Sequence, residues 1–591
     1  MIPVHFDDCA GWLHGAVQAP KRRGVVIAPG YGFEDLCSRR ALRILADRLA
    51  DRGVATLRFD FHGTGDSGGD IGEPDRLDRW RGNLDAAIER LRMQTGVDDI
   101  TLVGLRFGAW LAMEVAAARD DIATVVAVAP PGSGKAYLRE MSTLGRIIGQ
   151  VDGVAPTAGV TSVAGFELPE ALGVAIRAYE PARLTRRPAP RVLLIGREAT
   201  PVAEPLRARL VELGANVETR GFAGYDRMMC DPTASQVPLD TLAEIGNWIA
   251  AGAAGRAAMP SVIPRIDSHR VEGPDYQEES IRFGPEGRLA GILCQPKRAK
   301  FRATPAALIT NAGGIHHVGW GRMGVEHARA LAEAGIASLR MDFAGLGDSR
   351  VEFDLPDVDY YRRDGRDDVS LGIDVLAARG HERIFAVGAC AGAYQAFHAA
   401  VDDPRIDGLV LVNQLCFVWD RQHAMPLAAW KRAKAFDMAV KARAADEDLA
   451  DIARLRARLT AKAVALAKSG ARSVLAIARD ISHRLNAPIE AEAGVETEVA
   501  DWFQHLSRRG TRVVMLHGEA DGAREELAHY MGPDGARATA LPGVSLAIIP
   551  ATDHPLTPKP ARAALLSATI AAIGADLPAE RRATARVAAG A

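Results

Sequence analysis

Cys390 stands in the string Gly388-Ala389-Cys390-Ala391-Gly392, directly after the apolar run Arg383–Val387 and before an Ala-rich run. A strand, then G-x-Nuc-x-G, then a helix places one side chain at the tip of a sharp turn at the carboxyl end of a sheet. Glycine on both sides removes Cβ atoms that would collide in that turn. The following helix aims backbone N–H groups at a developing oxyanion. The chemistry is nucleophilic attack on an acyl carbon, and it needs a base to take the thiol proton and an acid to orient the base. In this layout they follow in the order nucleophile, acid, base. Downstream, TRVVMLHGEAD (511–521) reads as a strand ending at Asp521, and VSLAIIPATDHPLT (544–557) as a strand followed by His554. Their interval fits one βα unit. Asp553 is the alternative acid, but its side chain is expected to point away from that of its neighbour.

The elements that position these residues occur twice. LRFDFHGTGDS (57–67) matches LRMDFAGLGDS (339–349), VGLRFGA (103–109) matches VGACAGA (387–393), and GWLHG (11–15) matches GRLAG (287–291). An offset that stays near 280 indicates a duplicated domain, too long a period for a solenoid. In the first copy, apolar strands at 24–30, 54–61, 99–108, 122–131 and 190–198 alternate with helical patterns such as 41–53 and 77–94. The second copy repeats the order at 305–311, 336–343, 383–392, 406–413 and 511–517. This predicts an α/β fold of two tandem domains, each a mostly parallel sheet covered by helices. The boundaries predicted are 1–254 for the first domain, 255–275 for a Pro/Gly-containing linker and 276–578 for the second. The second carries an Ala-rich, Lys/Arg-rich insertion at about 420–505, expected to be a helical cap.

The first copy lacks the chemistry. At the nucleophile position stands Arg106, a permanent cation with no nucleophilic role. Its expected base region, GFAGYDRMMCDPTASQVP (221–238), holds no histidine. We read it as a degenerate copy that packs on the active one, covers its cleft, or binds an anion through Arg106. Asp66 and Asp348, in the two G-D-S turns, are expected to hold their own loops through local bonds to backbone.

Composition narrows the class. Lys+Arg number 72 against 74 Asp+Glu, so the even balance gives no support to a nucleic-acid binder. Six cysteines without a CxxC or a zinc-spaced Cys/His pair argue against a disulfide framework and a structural metal. No cofactor is expected. The N-terminus has no signal-peptide pattern and no apolar run reaches the ~18 residues of a membrane span, so the expected location is cytoplasmic.

On D-F-x-G-x-G-D-S (Asp342 to Ser349), the turn Gly388 to Gly392 and the terminal D-H-x-L-T (Asp553 to Thr557), the chain resembles the α/β-hydrolase superfamily. Within it both copies resemble serine aminopeptidase-like hydrolases, including those encoded with bacterial exopolysaccharide and exosortase systems. The resemblance implies Cys390 as nucleophile, Asp521 as acid and His554 as base. It implies an oxyanion hole from the backbone N–H groups of Gly314, in the loop Asn311-Ala312-Gly313-Gly314, and Ala391. Cysteine replaces the usual serine, as in dienelactone-type hydrolases. His316, His317 and Cys416 are candidate pocket residues, Cys416 as wall packing.

The function expected is hydrolysis of an ester, lactone or thioester. One alternative is an acyltransferase using the same triad on a sugar or amine acceptor, its basic cap favouring an anionic donor such as an acyl-CoA or acyl carrier protein. The other is a non-catalytic scaffold.

Overall fold

A computed structural model of the chain describes residues 1–15, 23–152, 161–198, 200–251, 270–298, 305–419 and 493–574. The predicted insertion lies outside the described residues except for the helix Ala493–Arg509 at its end. Most of the predicted linker lies outside them too.

The first copy forms one sheet from Ile2–Phe6 (β1), Cys9–His14 (β2), Arg23–Ala28 (β3), Ala55–Phe59 (β4), Asp99–Leu105 (β5), Ile122–Val128 (β6), Arg191–Arg197 (β9) and Asn216–Phe222 (β10). A hairpin of Thr161–Val163 (β7) and Phe166–Leu168 (β8) stands apart from it. The order is β1-β2-β4-β3-β5-β6-β9-β10. β2 is antiparallel to β1 and β4, and from β4 onward the strands are parallel.

The second copy repeats this with Val271–Glu272 (β11), Tyr276–Phe283 (β12), Leu289–Pro296 (β13), Ala306–Ile309 (β14), Ala337–Met341 (β15), Ile384–Ala389 (β16), Ile406–Val412 (β17), Arg512–Gly518 (β18) and Val544–Ile549 (β19). Its order is β11-β12-β13-β15-β14-β16-β17-β18-β19. β11 is an added edge, so the sheet begins inside the segment read as linker. Central strands such as Val25–Ala28 and Leu409–Val412 are continuous apolar runs buried on both faces, as helices on both sides of a parallel sheet require. Phe397, Phe417 and Phe503 fill one face of the second sheet, and Leu331, Leu565 and Ile573 the other.

The two copies are joined by a buried ion network with approximate two-fold symmetry. Arg58 and Arg340 are equivalent positions in the repeat, as are Asp66 and Asp348. Arg58 pairs with Asp348 at 2.9 Å, and Arg340 with Asp66 at 2.7 Å. Arg39 lies between the halves, 2.6 Å from Asp60 and 3.1 Å from Asp348. Trp12 Nε1 donates to Asp348 at 3.1 Å. The side chains of Asp66 and Asp348 therefore cross to the other copy. The local role expected for them is performed by Asp60 and Asp342, whose carboxylates accept the N–H of Asp66 and Asp348, and by Ser67 and Ser349.

His317 is part of this network. Its Nδ1 lies 2.8 Å from Asp342 and its Nε2 2.7 Å from Asp66. Burial alone would depress its pKa, but Asp342 and Asp66 outweigh burial and raise it to about 10. A pKa raised on folding stabilises fully below the unfolded value of about 6.5, and the gain is lost as pH rises toward 10. The stability difference between wild type and His317→Gln is therefore expected to shrink by about 3 kcal/mol between about pH 6 and about pH 9.5. Urea titrations at the two pH values measure it, and a difference independent of pH would mean that His317 is neutral in the fold.

Candidate active site

Cys390 sits between β16 and the helix Ala391–Asp402 at φ 53° and ψ −119°. For a residue with a Cβ this is a costly backbone conformation that its surroundings must enforce. A Cβ on Gly388 would lie 2.5 Å from the Gly392 carbonyl carbon, and one on Gly392 2.0 Å from the Asn311 carbonyl oxygen. These contacts are why the turn requires glycine at both places. Arg106 has the same conformation in the first copy, at φ 55° and ψ −117°. The repeat thus preserved the turn and changed the residue at its tip.

His554 Nδ1 lies 2.6 Å from Asp521 Oδ2. Burial alone would depress the imidazole, but the Cys390 sulfur and the Asp521 carboxylate raise its pKa to about 10. Burial also works against ionised Asp521, and the hydrogen bond from His554 overcomes it, holding the carboxyl below its ordinary range. The alternative acid, Asp553, bonds within its own loop. Its carboxylate accepts the N–H of Thr557 at 2.7 Å and the Thr557 hydroxyl.

Cys390 and His554 line one cleft together with Ala312, Trp320, Asp231 and Thr233. The last two belong to the first copy. They lie in the loop between β10 and the helix Leu239–Ala251, the counterpart of the loop that carries His554. That loop has no histidine, so its sequence offered no sign that it serves the other copy.

Two further groups escaped the sequence reading. Asn413, just past β17, accepts the N–H of Gly518 at 2.8 Å and donates to the His554 carbonyl at 2.8 Å. It ties the end of β18 to the loop that carries His554. Its φ of 45° is one that asparagine tolerates better than most residues, a signal only visible once the strand end is known. The Tyr361 hydroxyl lies 3.9 Å from Cys390 Sγ, and its ring stacks on Trp419 at 4.4 Å. Burial, with the two thiols Cys390 and Cys416, pushes this phenol far above its usual range.

Other candidates fall elsewhere. His317 is in the inter-copy network and His316 beside it, 3.8 Å from Asp35. Burial and the neighbouring Arg39 and His317 lower His316 to about 3. Neither histidine lines the cleft that holds Cys390, because Asp342 draws their loop into the interface. Cys416 packs with Tyr361, Ala391 and Tyr394. Gly314 faces the Pro232 carbonyl oxygen, 2.2 Å from where its Cβ would be, and lines a neighbouring cavity with His316. Ala312 of the same loop is the residue that reaches the Cys390 cleft.

Arg106 is not available to an anion. It is fully buried, 2.7 Å from Glu34 and 2.7 Å from Glu140, with Tyr137 donating to Glu34 at 3.1 Å. The first copy's own site is filled by these side chains.

Among the described residues no helix is long and apolar enough to cross a membrane. The chain is similar in structure to Est1E from Butyrivibrio proteoclasticus bound to ferulic acid, at 18% identity over 42% of this chain and 97% of that one, with a TM-score of 0.30. It is similar to an esterase from Pyrococcus furiosus at 18% identity, 43% and 92% coverage and a TM-score of 0.29. It is also similar to an α/β serine hydrolase homologue from Coxiella burnetii at 19% identity, 43% and 96% coverage and a TM-score of 0.28. No curated protein matches the chain. The profile of the family described as serine aminopeptidase, S33, matches residues 19–194 and 303–523, one segment in each copy and together about two thirds of the length. The double match, one in each copy of the duplicated sheet, shows that the chain belongs to the serine aminopeptidase S33 family of α/β hydrolases.

Proposed function

We propose that the chain is an acyl hydrolase acting on esters, lactones or thioesters through Cys390, His554 and Asp521, and that its N-terminal copy is non-catalytic. The observation that carries this is the shared cleft of Cys390 and a His554 held by Asp521 at 2.6 Å. His554 takes the thiol proton, and Asp521 orients the imidazole and stabilises its positive charge. The sulfur bonds to the substrate carbonyl carbon, and the carbonyl electrons move onto oxygen. The Ala391 N–H at the start of its helix and an N–H from the Asn311–Gly314 loop receive that oxyanion. As it collapses, the leaving oxygen or sulfur departs with the proton from His554. Water then adds to the acyl-enzyme, giving its proton to His554. The second collapse returns the thiol and releases the carboxylic acid. A thiolate expels amines poorly, which favours activated acyl groups over peptides. The N-terminal copy offers only Arg106 at its turn, bound between two carboxylates.

Labelling tests this directly. Iodoacetamide is expected to modify Cys390 at about pH 7 at least tenfold faster than an ordinary thiol, which is only a few per cent thiolate there. His554→Ala is expected to remove the advantage. Equal rates at Cys390 in the two proteins would sink the pairing. Turnover in the presence of amine or sugar acceptors separates hydrolysis from acyl transfer.

A further inference from the structure

The N-terminal copy reaches the C-terminal cleft through its loop between β10 and the helix Leu239–Ala251. Asp231 is 3% exposed and lines the cleft with Cys390 and His554. Its Oδ1 accepts the Thr233 N–H at 2.9 Å, and its carbonyl accepts the Ala234 N–H at 2.9 Å. These bonds fix the carboxylate on a tight turn. The turn is seated on the second copy: the Pro232 carbonyl meets Gly314, and Thr233 Oγ1 lies 3.4 Å from where a Cβ on Gly313 would be. Farther along, the Val237 N–H donates to the Pro356 carbonyl at 2.8 Å. Among the described residues lining the cleft, Asp231 is the only carboxylate, and the rest of its wall is mostly apolar.

A carboxylate in the wall of a mostly apolar cleft acts on every charged group that enters. We propose that Asp231–Thr233 is the specificity wall of the C-terminal site, and that its carboxylate selects neutral or cationic acyl substrates against carboxylate- or phosphate-bearing ones. This deepens the hydrolase reading and rests on it. The degenerate copy then keeps a task at the active site, because the loop that lost its base supplies part of the neighbour's pocket.

The test needs no known substrate. Three methanethiosulfonates of similar size transfer an alkylthio group to a thiolate and release methanesulfinate: one carries a trimethylammonium, one a sulfonate and one a neutral methyl. Rates at Cys390, normalised to those of a small thiol, read the charge of the cleft. In wild type the cationic reagent is expected to be favoured over the anionic one. In Asp231→Asn the cationic rate is expected to fall and the anionic rate to rise, lowering their ratio about tenfold. The neutral rate should stay within about twofold. Asp231→Glu should keep the ratio, and Asp240→Asn, an exposed change on the same copy outside the cleft, should leave it unchanged. A ratio within twofold of wild type in Asp231→Asn, or three rates that move together, overturns the proposal. Slow neutral labelling of wild-type Cys390 would instead defeat the hydrolase reading, while the ratio would still report on the wall.

Discussion

Cys390→Ala is expected to lower kcat/KM for an activated thioester or aryl ester by at least about 10³-fold, the scale on which loss of a triad member acts. The substitution removes only a sulfur. Its buried neighbours are Leu415 and Ala523, so the fold should tolerate alanine there. The turn is equally strained with alanine, since both residues carry a Cβ. The size of the loss also depends on the first copy. With Arg106 at the equivalent tip and Glu34 and Glu140 closed on it, that turn offers no nucleophile to take over. Steady-state hydrolysis by wild type, Cys390→Ala and Arg106→Ala separates the possibilities. Residual activity above about a tenth in Cys390→Ala would place the nucleophile elsewhere. Intact hydrolysis in Arg106→Ala, whatever its stability, would agree with a non-catalytic first copy.

Local sequence carried much of this architecture. Apolar runs ending in glycine and helices with regular spacing recur at a constant offset, and each depends on neighbours in sequence. The pairing of Asp521 with His554 was legible for the same reason, because chain order in a parallel sheet fixes where successive strand ends lie. What crosses between the copies was not legible. Asp66 and Asp348 sit in turns that look self-sufficient, and nothing local says that their carboxylates leave those turns. His317 follows the Asn311–Gly314 loop closely enough to read as a pocket residue. It is drawn into the interface because Asp342 takes both its N–H and its ring. Asp231 and Thr233 belong to a loop notable in sequence only for the histidine it lacks.

These crossings give the duplication a physical meaning. Asp342 accepts from Asn311 Nδ2 at 2.8 Å and from the His317 N–H at 2.7 Å, so it fastens both ends of the loop that carries Ala312 and Gly314. His317 in turn reaches Asp66 of the first copy. The first copy therefore reaches the surroundings of Cys390 twice: through the ion network that holds the loop from Asn311 to His317, and through the Asp231 turn that lines the same cleft.

The largest stability effect is expected from breaking that network. Asp66 is 2% exposed and faces Arg340, His317 and Arg39 at 2.7, 2.7 and 3.4 Å. Those three donors hold its carboxylate well below the ordinary range despite its burial. Asp66→Ala leaves Arg340 with Glu278 at 2.7 Å but strips His317 of one of its two partners. Truncating one partner of a buried ion pair costs about 3–5 kcal/mol, since the stranded charge keeps its desolvation penalty. The same loss is expected for Asp348→Ala, which leaves Arg58 without its 2.9 Å partner. The mirror placement makes this a paired test: urea titration at about pH 7 should show similar losses for the two variants. Removing the charges together, in Asp348→Leu with Arg58→Met, should cost less than Asp348→Ala alone, because neither desolvated charge remains. A loss below about 1 kcal/mol in both alanine variants would mean that water reaches the network and that the copies are held by apolar contact instead.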